Sequence, residues 1–281
     1  MLSPLSDKLD YFNSNLQDQV AHLSRQLEDT NTKLDYLYRS SFHEDTWLNK
    51  ARNLHKGKRC FIIGTGPSLN RVDLSKIKNE ITFGVNGTYK IESLNLNYFV
   101  YVSSWFHEQH SEGIKNVTCE RRFIPSSHQG LESHVPTSWL NVLLPSYYDL
   151  VGNQLQVPSG FSYAPHKAIF AGGTVIFLCL QLAYYMGFDK VITLGLDHSF
   201  GKFDENAKQH AGTYIREEKN ISHFDSKYNS ENIEYHCDLK AMERGYKLAL
   251  EAFNEDNRVI VNASPGSKLD IFPKINFEQL F

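Results

Sequence analysis

The stretch RCFIIGTGPSL at residues 59–69 limits what this chain can fold into more than any other part of it. Its apolar run, residues 60–63, is typical of a strand buried on both faces of a sheet. Gly64 and Gly66 follow, and glycine both accepts backbone angles that a side chain forbids and lets a ligand approach the main chain. Pro67 suits the first position of a helix, whose free N–H groups attract phosphate. The stretch therefore predicts a strand, a glycine turn and a helix start that can face a phosphate.

The glycine spacing departs from the dinucleotide-binding fingerprint. Leu69 stands where the third glycine of G-x-G-x-x-G belongs. Tight turns between a strand and a helix also use glycine without any ligand. On the glycines alone, a ligand site and a purely structural turn are therefore equal alternatives.

Further apolar runs alternate with helical patterns along the chain. Strands are predicted at residues 81–85, 98–102, 122–125, 142–145, 190–195 and 258–262. Helices are predicted at residues 174–186 and 238–253. Such alternation predicts an α/β fold, a Rossmann-like, mostly parallel, doubly wound sheet with right-handed crossovers. This domain covers residues 58–281, and its loop-rich parts, 126–165 and 198–236, are interpreted as lid or insertion segments.

The N-terminal residues 1–40 carry a narrow apolar seam. Apolar side chains recur every three or four residues, with a stutter after Leu16 and one skipped position at Thr30; they are Leu2, Leu5, Leu9, Phe12, Leu16, Val20, Leu23, Leu27, Leu34 and Leu37. Such a seam predicts a coiled coil through which the chain forms a homo-oligomer. The alternative is an amphipathic helix that lies on its own domain or on a membrane surface. Residues 41–57 then form a connector.

Charge and cysteine usage restrict the partners and the compartment. A net charge of -3 provides no basic face, which argues against nucleic acid. The four cysteines, Cys60, Cys119, Cys179 and Cys237, lie far apart without metal-ligand spacing, which favours a reducing compartment. The start of the chain lacks a signal-peptide pattern, and no apolar run is long enough to span a membrane. A cytoplasmic location is expected, with a peripheral position at the inner membrane left open.

The predicted sheet brings several short polar motifs to one edge. In parallel sheets, ligands gather beyond the carboxyl ends of the strands. That edge would hold residues 64–68, 86–88, 103–104 and 172–174, together with Asp197. Their shared position, rather than any single residue, predicts a binding site.

The order of these motifs resembles that of the family 42 bacterial sialyltransferases. The motifs are IGTGPSL at 63–69, GVNGTY at 84–89, GGT at 172–174 and LGLD at 194–197. They also resemble the wider superfamily of motility accessory factors and archaeal-type 6-hydroxymethylpterin diphosphokinase-like proteins, the last group above all in the run at 261–269. The resemblance covers about residues 58–281 and leaves the N-terminal helix unaccounted for.

The resemblance implies a set of residues that hold the nucleotide part of a CMP-sugar donor. They are Gly64, Thr65, Gly66, Ser68, Asn86, Gly172, Gly173 and Thr174. Ser103 stands where the family has an asparagine after the third strand. Asp197 ends a strand at the same edge, where it could bind a ribose or acceptor hydroxyl, bind Mg²⁺, or cap the next residues.

The resemblance also implies a histidine base in the polar segment before the last long helix. His223 and His236 both lie there, and the residues that flank the helix favour His236. Histidine suits this task because its unperturbed pKa lies near neutrality. The family's two phosphate-steadying tyrosines are absent, which leaves His198 as a substitute donor and puts sialic acid transfer itself in doubt.

The sequence predicts a glycosyltransferase that needs no cofactor or metal. It would move a sugar from a nucleotide donor to a glycan or protein acceptor. The donor would be a CMP-linked acidic sugar. Two alternatives stay open. One is an ATP-dependent pterin diphosphokinase-like enzyme, which would need Mg²⁺ held by Asp197 and Asp204. The other is a non-catalytic scaffold that keeps the nucleotide-binding fold for the sake of the coiled coil.

Overall fold

The structure of the protein is a computed structural model. The structure describes residues 16–17, 19–24, 26, 46–128, 134–143, 146–148, 154–156, 160–199, 209–210, 213–215, 223–224, 233–235 and 239–281. The chain divides into two units, residues 1–44 with 148–155, and residues 45–147 with 156–281. In the first unit, the described residues between 16 and 26 are helical.

The strands, in chain order, define the architecture. They are β1 Arg59–Ile63, β2 Ile81–Val85, β3 Leu96–Val100, β4 Cys119–Pro125, β5 Thr137–Leu140, β6 Val142–Leu143, β7 Ser146–Tyr148, β8 Gln154–Gln156, β9 Ile169–Phe170, β10 Lys190–Leu194, β11 Gln209–His210, β12 Thr213–Ile215, β13 Ile233–Tyr235 and β14 Val259–Asn262. The central sheet has the order β14-β10-β1-β2-β3-β4-β5, and every pair of neighbours in it is parallel. β6 pairs with β9, β7 with β8, and β11 to β13 form an antiparallel sheet.

The helices of residues 45–281 lie before β1, between the strands and after β14. The α-helices are α1 Thr46–Lys50, α2 Ser104–Gln109, α3 Ser111–Asn116, α4 Val175–Tyr185 and α5 Leu239–Glu255. Short 3-10 helices lie at Pro67–Arg71, Leu74–Ile77, Asn86–Lys90, Ser126–His128 and Phe277–Leu280. Among the described residues, none of the helices is both long and apolar enough to cross a membrane.

Apolar side chains on the two faces of the sheet form two separate cores. Successive side chains of a strand point to opposite faces, so Cys60 and Ile62 join one core and Phe61 and Ile63 join the other. The first core contains α4 and the apolar face of α5. The second contains apolar side chains of α2 and α3 and of three 3-10 helices, which contribute Leu69, Ile77 and Phe277. The predicted parallel, doubly wound α/β sheet is thereby confirmed.

The edge strand β5 lies inside the segment that the sequence assigned to a lid or insertion, residues 126–165. Its buried residues alternate with half-buried ones, so it lacks the continuous apolar run of the inner strands. Arg122 of β4, only 1% exposed, connects β4 to β5 and to α3. Its guanidinium donates to the Thr137 hydroxyl at 2.8 Å and to the Ile114 carbonyl at 2.9 Å. Burial lowers the pKa of Arg122. The interpretation of 126–165 as an insertion is therefore wrong for β5, which belongs to the central sheet.

Further predictions shift in detail. The third strand begins and ends two residues earlier than predicted, at Leu96–Val100. The strand predicted at residues 142–145 is β6, which pairs with β9 outside the central sheet. In residues 198–236, the described parts include the three strands of the antiparallel sheet.

The described part of the N-terminal helix exposes apolar side chains along one stripe. Leu16, Val20 and Leu23 are 49%, 58% and 62% exposed. They occur at steps of four and three residues, which place them on one face of a helix. The predicted seam outside residues 16–26 lies beyond the described residues, so self-association stays a prediction.

We expect glutamate at both Val20 and Leu23 to abolish self-association, because a coiled-coil seam excludes water and leaves such charges unpaired. Light scattering after size exclusion should then give the mass of a single chain, 32.3 kDa, in place of a multiple of it. His22→Glu, which adds a charge away from the stripe, should leave the oligomer intact. A wild-type chain that is already monomeric would refute the coiled coil.

Candidate functional site

The candidate site lies at the carboxyl edge of the central sheet, where β1 has β2 on one side and β10 on the other. The order in which the chain adds strands to the sheet reverses direction at β1. Open parallel sheets bind ligands at such a reversal. The register pairs Ile63 with both Gly84 and Leu194, and it pairs Val85 with Val100. The loops that follow β1, β2, β3 and β10 therefore leave the sheet at one level.

The glycines after β1 are required by space rather than by backbone angle. Gly66 has an ordinary φ of −64°, and Gly64 is not among the residues with positive φ. A Cβ atom at either position would lie 2.6 Å from the carbonyl oxygen of Gly195. The close approach expected of a ligand is thus made by the neighbouring loop. Two backbone hydrogen bonds join these loops. Gly64 N donates to Leu194 O at 2.7 Å, and Gly66 N donates to Gly195 O at 2.9 Å.

Asp197 occupies the start of the 3-10 helix Pro67–Arg71. Its carboxylate accepts a hydrogen bond from the Ser68 backbone N–H at 2.8 Å and a second, very short one from the Ser68 hydroxyl. Both residues are buried. A carboxylate is an anion, so Asp197 supplies the negative charge that a helix start attracts.

The run after β14 holds the backbone beside Asp197. The Ser264 hydroxyl accepts from Leu196 N at 2.9 Å, and the Ser267 hydroxyl donates to Leu196 O at 2.6 Å. The backbone N–H of Lys268 donates to Asp197 O at 2.8 Å. The amide of Asn262 also donates to Ser267, at 2.9 Å. These buried polar groups satisfy one another and fix Leu196 and Asp197 in place.

Gly172 and Gly173 lead into α4 with positive φ values of 54° and 74°. Thr174 caps the helix: its hydroxyl accepts from Ile176 N at 3.3 Å. A Cβ atom on Gly173 would lie 3.3 Å from both Cβ of Ala241 and N of Met242 at the start of α5. The glycine pair is thus packed against the first turn of α5.

His198 follows Asp197 with a left-handed backbone, φ 50°, which is uncommon for a residue other than glycine. Its Nε2 lies 3.1 Å from Oε1 of Glu243 on α5, and its ring meets Tyr246 edge-on. The contact with Glu243 fixes the orientation of the imidazole. Among the described residues, no three His, Cys, Asp or Glu side chains form a group that could hold a metal ion.

Asn86 and Thr88 lie in the 3-10 helix directly after β2. Asn86 also has a left-handed backbone, φ 48°. Its buried Oδ1 and the buried hydroxyl of Thr88 have no hydrogen-bond partner among the described residues. Buried polar atoms without a partner are rare in folded proteins, so this corner of the edge has unused hydrogen-bonding capacity.

His223 contacts the loop after β1 although it lies far away in sequence. Its Nδ1 lies 2.9 Å from the Thr65 hydroxyl oxygen. The next residue, Phe224, donates its backbone N–H to Thr65 O at 2.7 Å and accepts from the Asn70 side-chain amide at 3.2 Å. The structure thus brings together a predicted catalytic histidine and a predicted donor-binding residue.

A cluster of rings lies after β3 and β4. Ser103 caps α2 by accepting from Phe106 N at 3.3 Å. The next residue, Ser104, has its hydroxyl 3.1 Å from Nε2 of His128, which is 7% exposed. The ring of His128 stacks on His107 with centroids 4.7 Å apart. Burial, and then the charge of His107, lower the pKa of His128 to about 4.

The structure connects some of the predicted site residues directly and leaves others apart. Ser68 contacts Asp197, and Thr65 contacts His223, whereas Ser103 accepts from Phe106 within its own helix start. His236 lies outside the described residues. The sequence reading gave no role to the residues that hold Asp197 and His198, although it singled out the run that contains three of them. These supporting residues are Glu243, Asn262, Ser264 and Ser267.

The chain matches no model of a known protein family and no curated protein sequence. It is similar to the solved structure of the sialyltransferase CstII from Campylobacter jejuni in complex with a substrate analogue, cytidine-5′-monophosphate. The similarity covers 78% of this chain and 85% of that chain, with 16% sequence identity and a TM-score of 0.40. A TM-score this low carries no inference about function, so the resemblance seen in the sequence stays a prediction.

We expect Ser68→Ala to lower the free energy of unfolding by about 1.5–3 kcal/mol, because a buried hydrogen bond to a charged group is lost. Ser75 offers a matched control. It donates the same pair of hydrogen bonds to Asp73, at 3.1 and 2.6 Å, but at an exposed helix start. Ser75→Ala should cost at most about 1 kcal/mol in urea denaturation. Equal costs for both variants would show that burial of the Asp197 carboxylate adds nothing.

We expect acid to destabilise the protein through His128. In the unfolded chain its pKa is about 6.5, so between about pH 6.5 and 4 the unfolded state binds more protons than the folded state. The free energy of unfolding should therefore fall as the pH falls through this window, by up to about 1.4 kcal/mol per pH unit.

His128→Gln should flatten that slope in urea denaturation measured at several pH values. Burial also lowers the pKa of His55, so part of the slope should survive the substitution. His134→Gln, at an exposed position, is the control and should leave the slope unchanged. An unaltered slope in His128→Gln would contradict the depressed pKa of His128.

Proposed function

We propose that the chain transfers a sugar from a nucleotide donor, a CMP-linked acidic sugar, to a hydroxyl group of a glycan or protein acceptor. The observation that carries the proposal is the contact between His223 Nδ1 and the Thr65 hydroxyl, 2.9 Å. It sets an imidazole against the glycine loop at the edge where parallel α/β sheets bind ligands. The order of motifs in the sequence supports the choice of a CMP-linked donor.

His223 serves as the general base in this proposal. The acceptor oxygen attacks the anomeric carbon, its proton passes to Nε2 of His223, and the bond from the anomeric carbon to the phosphate oxygen breaks. CMP leaves with the electrons of that bond. A positioned base contributes about 10²- to 10⁴-fold to the rate of such a step.

The donor phosphate is placed at the start of α4, beside Gly173 and Thr174, in this proposal. The start of the 3-10 helix Pro67–Arg71 at the same edge is filled, since the carboxylate of Asp197 is bonded to Ser68 there. Asn86 is assigned to the donor ribose in this proposal, because its Oδ1 has no hydrogen-bond partner among the described residues. His198, oriented by Glu243, supports the leaving phosphate in place of the family's tyrosines.

Thermal denaturation with CMP, UDP, GDP and ATP, each with and without Mg²⁺, tests the ligand class. We expect CMP to raise the melting temperature without metal, because a ligand that binds only the folded state stabilises it. Stabilisation by ATP with Mg²⁺ alone would support diphosphate transfer instead. No response to any nucleotide would support a non-catalytic scaffold.

Turnover is measured as CMP release from CMP-N-acetylneuraminic acid in the presence of a glycan panel. His223→Ala should lower kcat by at least about 100-fold and leave the stabilisation by CMP unchanged, because a base acts on the reaction and not on donor binding. His134→Ala, an exposed histidine, is the control. If His236→Ala abolishes turnover while His223→Ala does not, the base is His236 and the proposed role of His223 is wrong.

A further inference from the structure

We infer that Asn70 and Phe224 are positioning residues: they hold residues 223–224, the base segment, against the loop after β1 and so fix the place of the His223 imidazole. This inference rests on the function proposed above, in which His223 is the base. It is carried by the contacts of Phe224 and Asn70, which dock the segment through its backbone and through one apolar side chain.

Phe224 is anchored through both polar groups of its backbone and through its ring. Its N–H donates to the Thr65 carbonyl at 2.7 Å, and its own carbonyl accepts from the Asn70 side-chain amide at 3.2 Å. The half-buried ring packs against the core that contains Ile63. Because His223 is joined to Phe224 by a peptide bond, these contacts also fix the backbone at His223.

Residues close to Asn70 on both sides connect it to other loops at the same edge of the sheet. Ser68 donates its backbone N–H to the Asp197 carboxylate at 2.8 Å, and the Arg71 guanidinium donates to the Pro265 carbonyl. Asn70 itself is exposed, and an exposed hydrogen bond adds little to global stability because water replaces the lost partner. Its bond to the base segment therefore matters for where that segment lies more than for the stability of the fold.

The place of a general base matters because the proton moves over hydrogen-bonding distance. A displacement of about 1 Å can cost about 10²-fold in rate. The donor phosphate is assigned above to the start of α4, which is not part of the base segment. Loss of the docking contacts should therefore lower kcat and leave the KM for the donor unchanged.

Asn70→Asp keeps the size of the side chain and replaces the donating amide with an acceptor beside the Phe224 carbonyl. We expect it to lower kcat by at least about 10-fold at an unchanged KM for the donor. Asn95 offers a matched control, since its exposed amide donates to the Lys78 carbonyl at the same distance, 3.2 Å. Asn95→Asp should leave kcat within about twofold of wild type.

Phe224→Ala removes the apolar contact, and we expect it to lower kcat by about 10- to 100-fold. Phe224→Leu keeps an apolar side chain and should restore kcat to within about fivefold of wild type. Leu280→Ala is the matched control, because Leu280 is also half-buried against the same core but lies in the last 3-10 helix. It should lower the melting temperature as Phe224→Ala does and leave kcat unchanged.

Hydrogen exchange measured by mass spectrometry gives a readout that needs no turnover. Peptides that contain residues 223–224 should exchange about 2- to 10-fold faster in Asn70→Asp and Phe224→Ala than in wild type, because the segment then opens more often. In Asn95→Asp the same peptides should exchange as in wild type. Stabilisation by CMP should be the same in all of these proteins.

Wild-type kcat in Asn70→Asp or in Phe224→Ala would overturn the inference, and so would a rise in KM alone, which would show a donor contact. An equal loss of kcat in Leu280→Ala would show general destabilisation, and unchanged exchange at residues 223–224 would show that these contacts do not dock the segment. Either result also overturns the inference. A wild-type chain that neither releases CMP nor is stabilised by it would instead refute the proposed function, and the exchange measurement would still show whether Asn70 and Phe224 hold the segment.

Discussion

The candidate site depends on the direct contact between the loop after β1 and the loop after β10. These two strands are neighbours at the reversal of strand order, where a parallel sheet ordinarily leaves an open crevice. Here Gly64 and Gly66 let the backbone at Gly195 approach, and the carboxylate of Asp197 reaches across to Ser68. The space between these two loops is therefore filled by the protein itself.

The contact is supported by a second layer of buried polar groups. Asn262, Ser264 and Ser267 bond to one another and to the backbone at Leu196. An unpaired buried polar group is costly, so each of these bonds also limits the movement of its neighbours. Glu243 acts in the same way on His198, from α5. The imidazole and the carboxylate at the end of β10 are thus fixed by residues from two other elements.

The sequence predicted those parts of the fold that local pattern determines. The inner strands and α4 are continuous apolar runs, so their period and length identified them. β5 was missed because its buried and half-buried residues alternate and Trp139 is only partly buried. In the site, the glycine spacing suggested an approach by a ligand, whereas the space beside Gly66 is taken by Gly195 and Asp197 of the protein itself. The pairings of Ser68 with Asp197 and of Thr65 with His223 join residues far apart in the chain, and no local pattern encodes them.

The polar run after β14 has a consequence for the order in which the protein matures during synthesis. The glycine loop emerges early from the ribosome, but Asp197 acquires its backbone partner only when Lys268 has been added. A nascent chain that already contains β1 to β10 therefore still lacks the groups that hold its candidate site together. The loop after β10 therefore acquires its full set of hydrogen bonds only after β14 and the run that follows it have been synthesised.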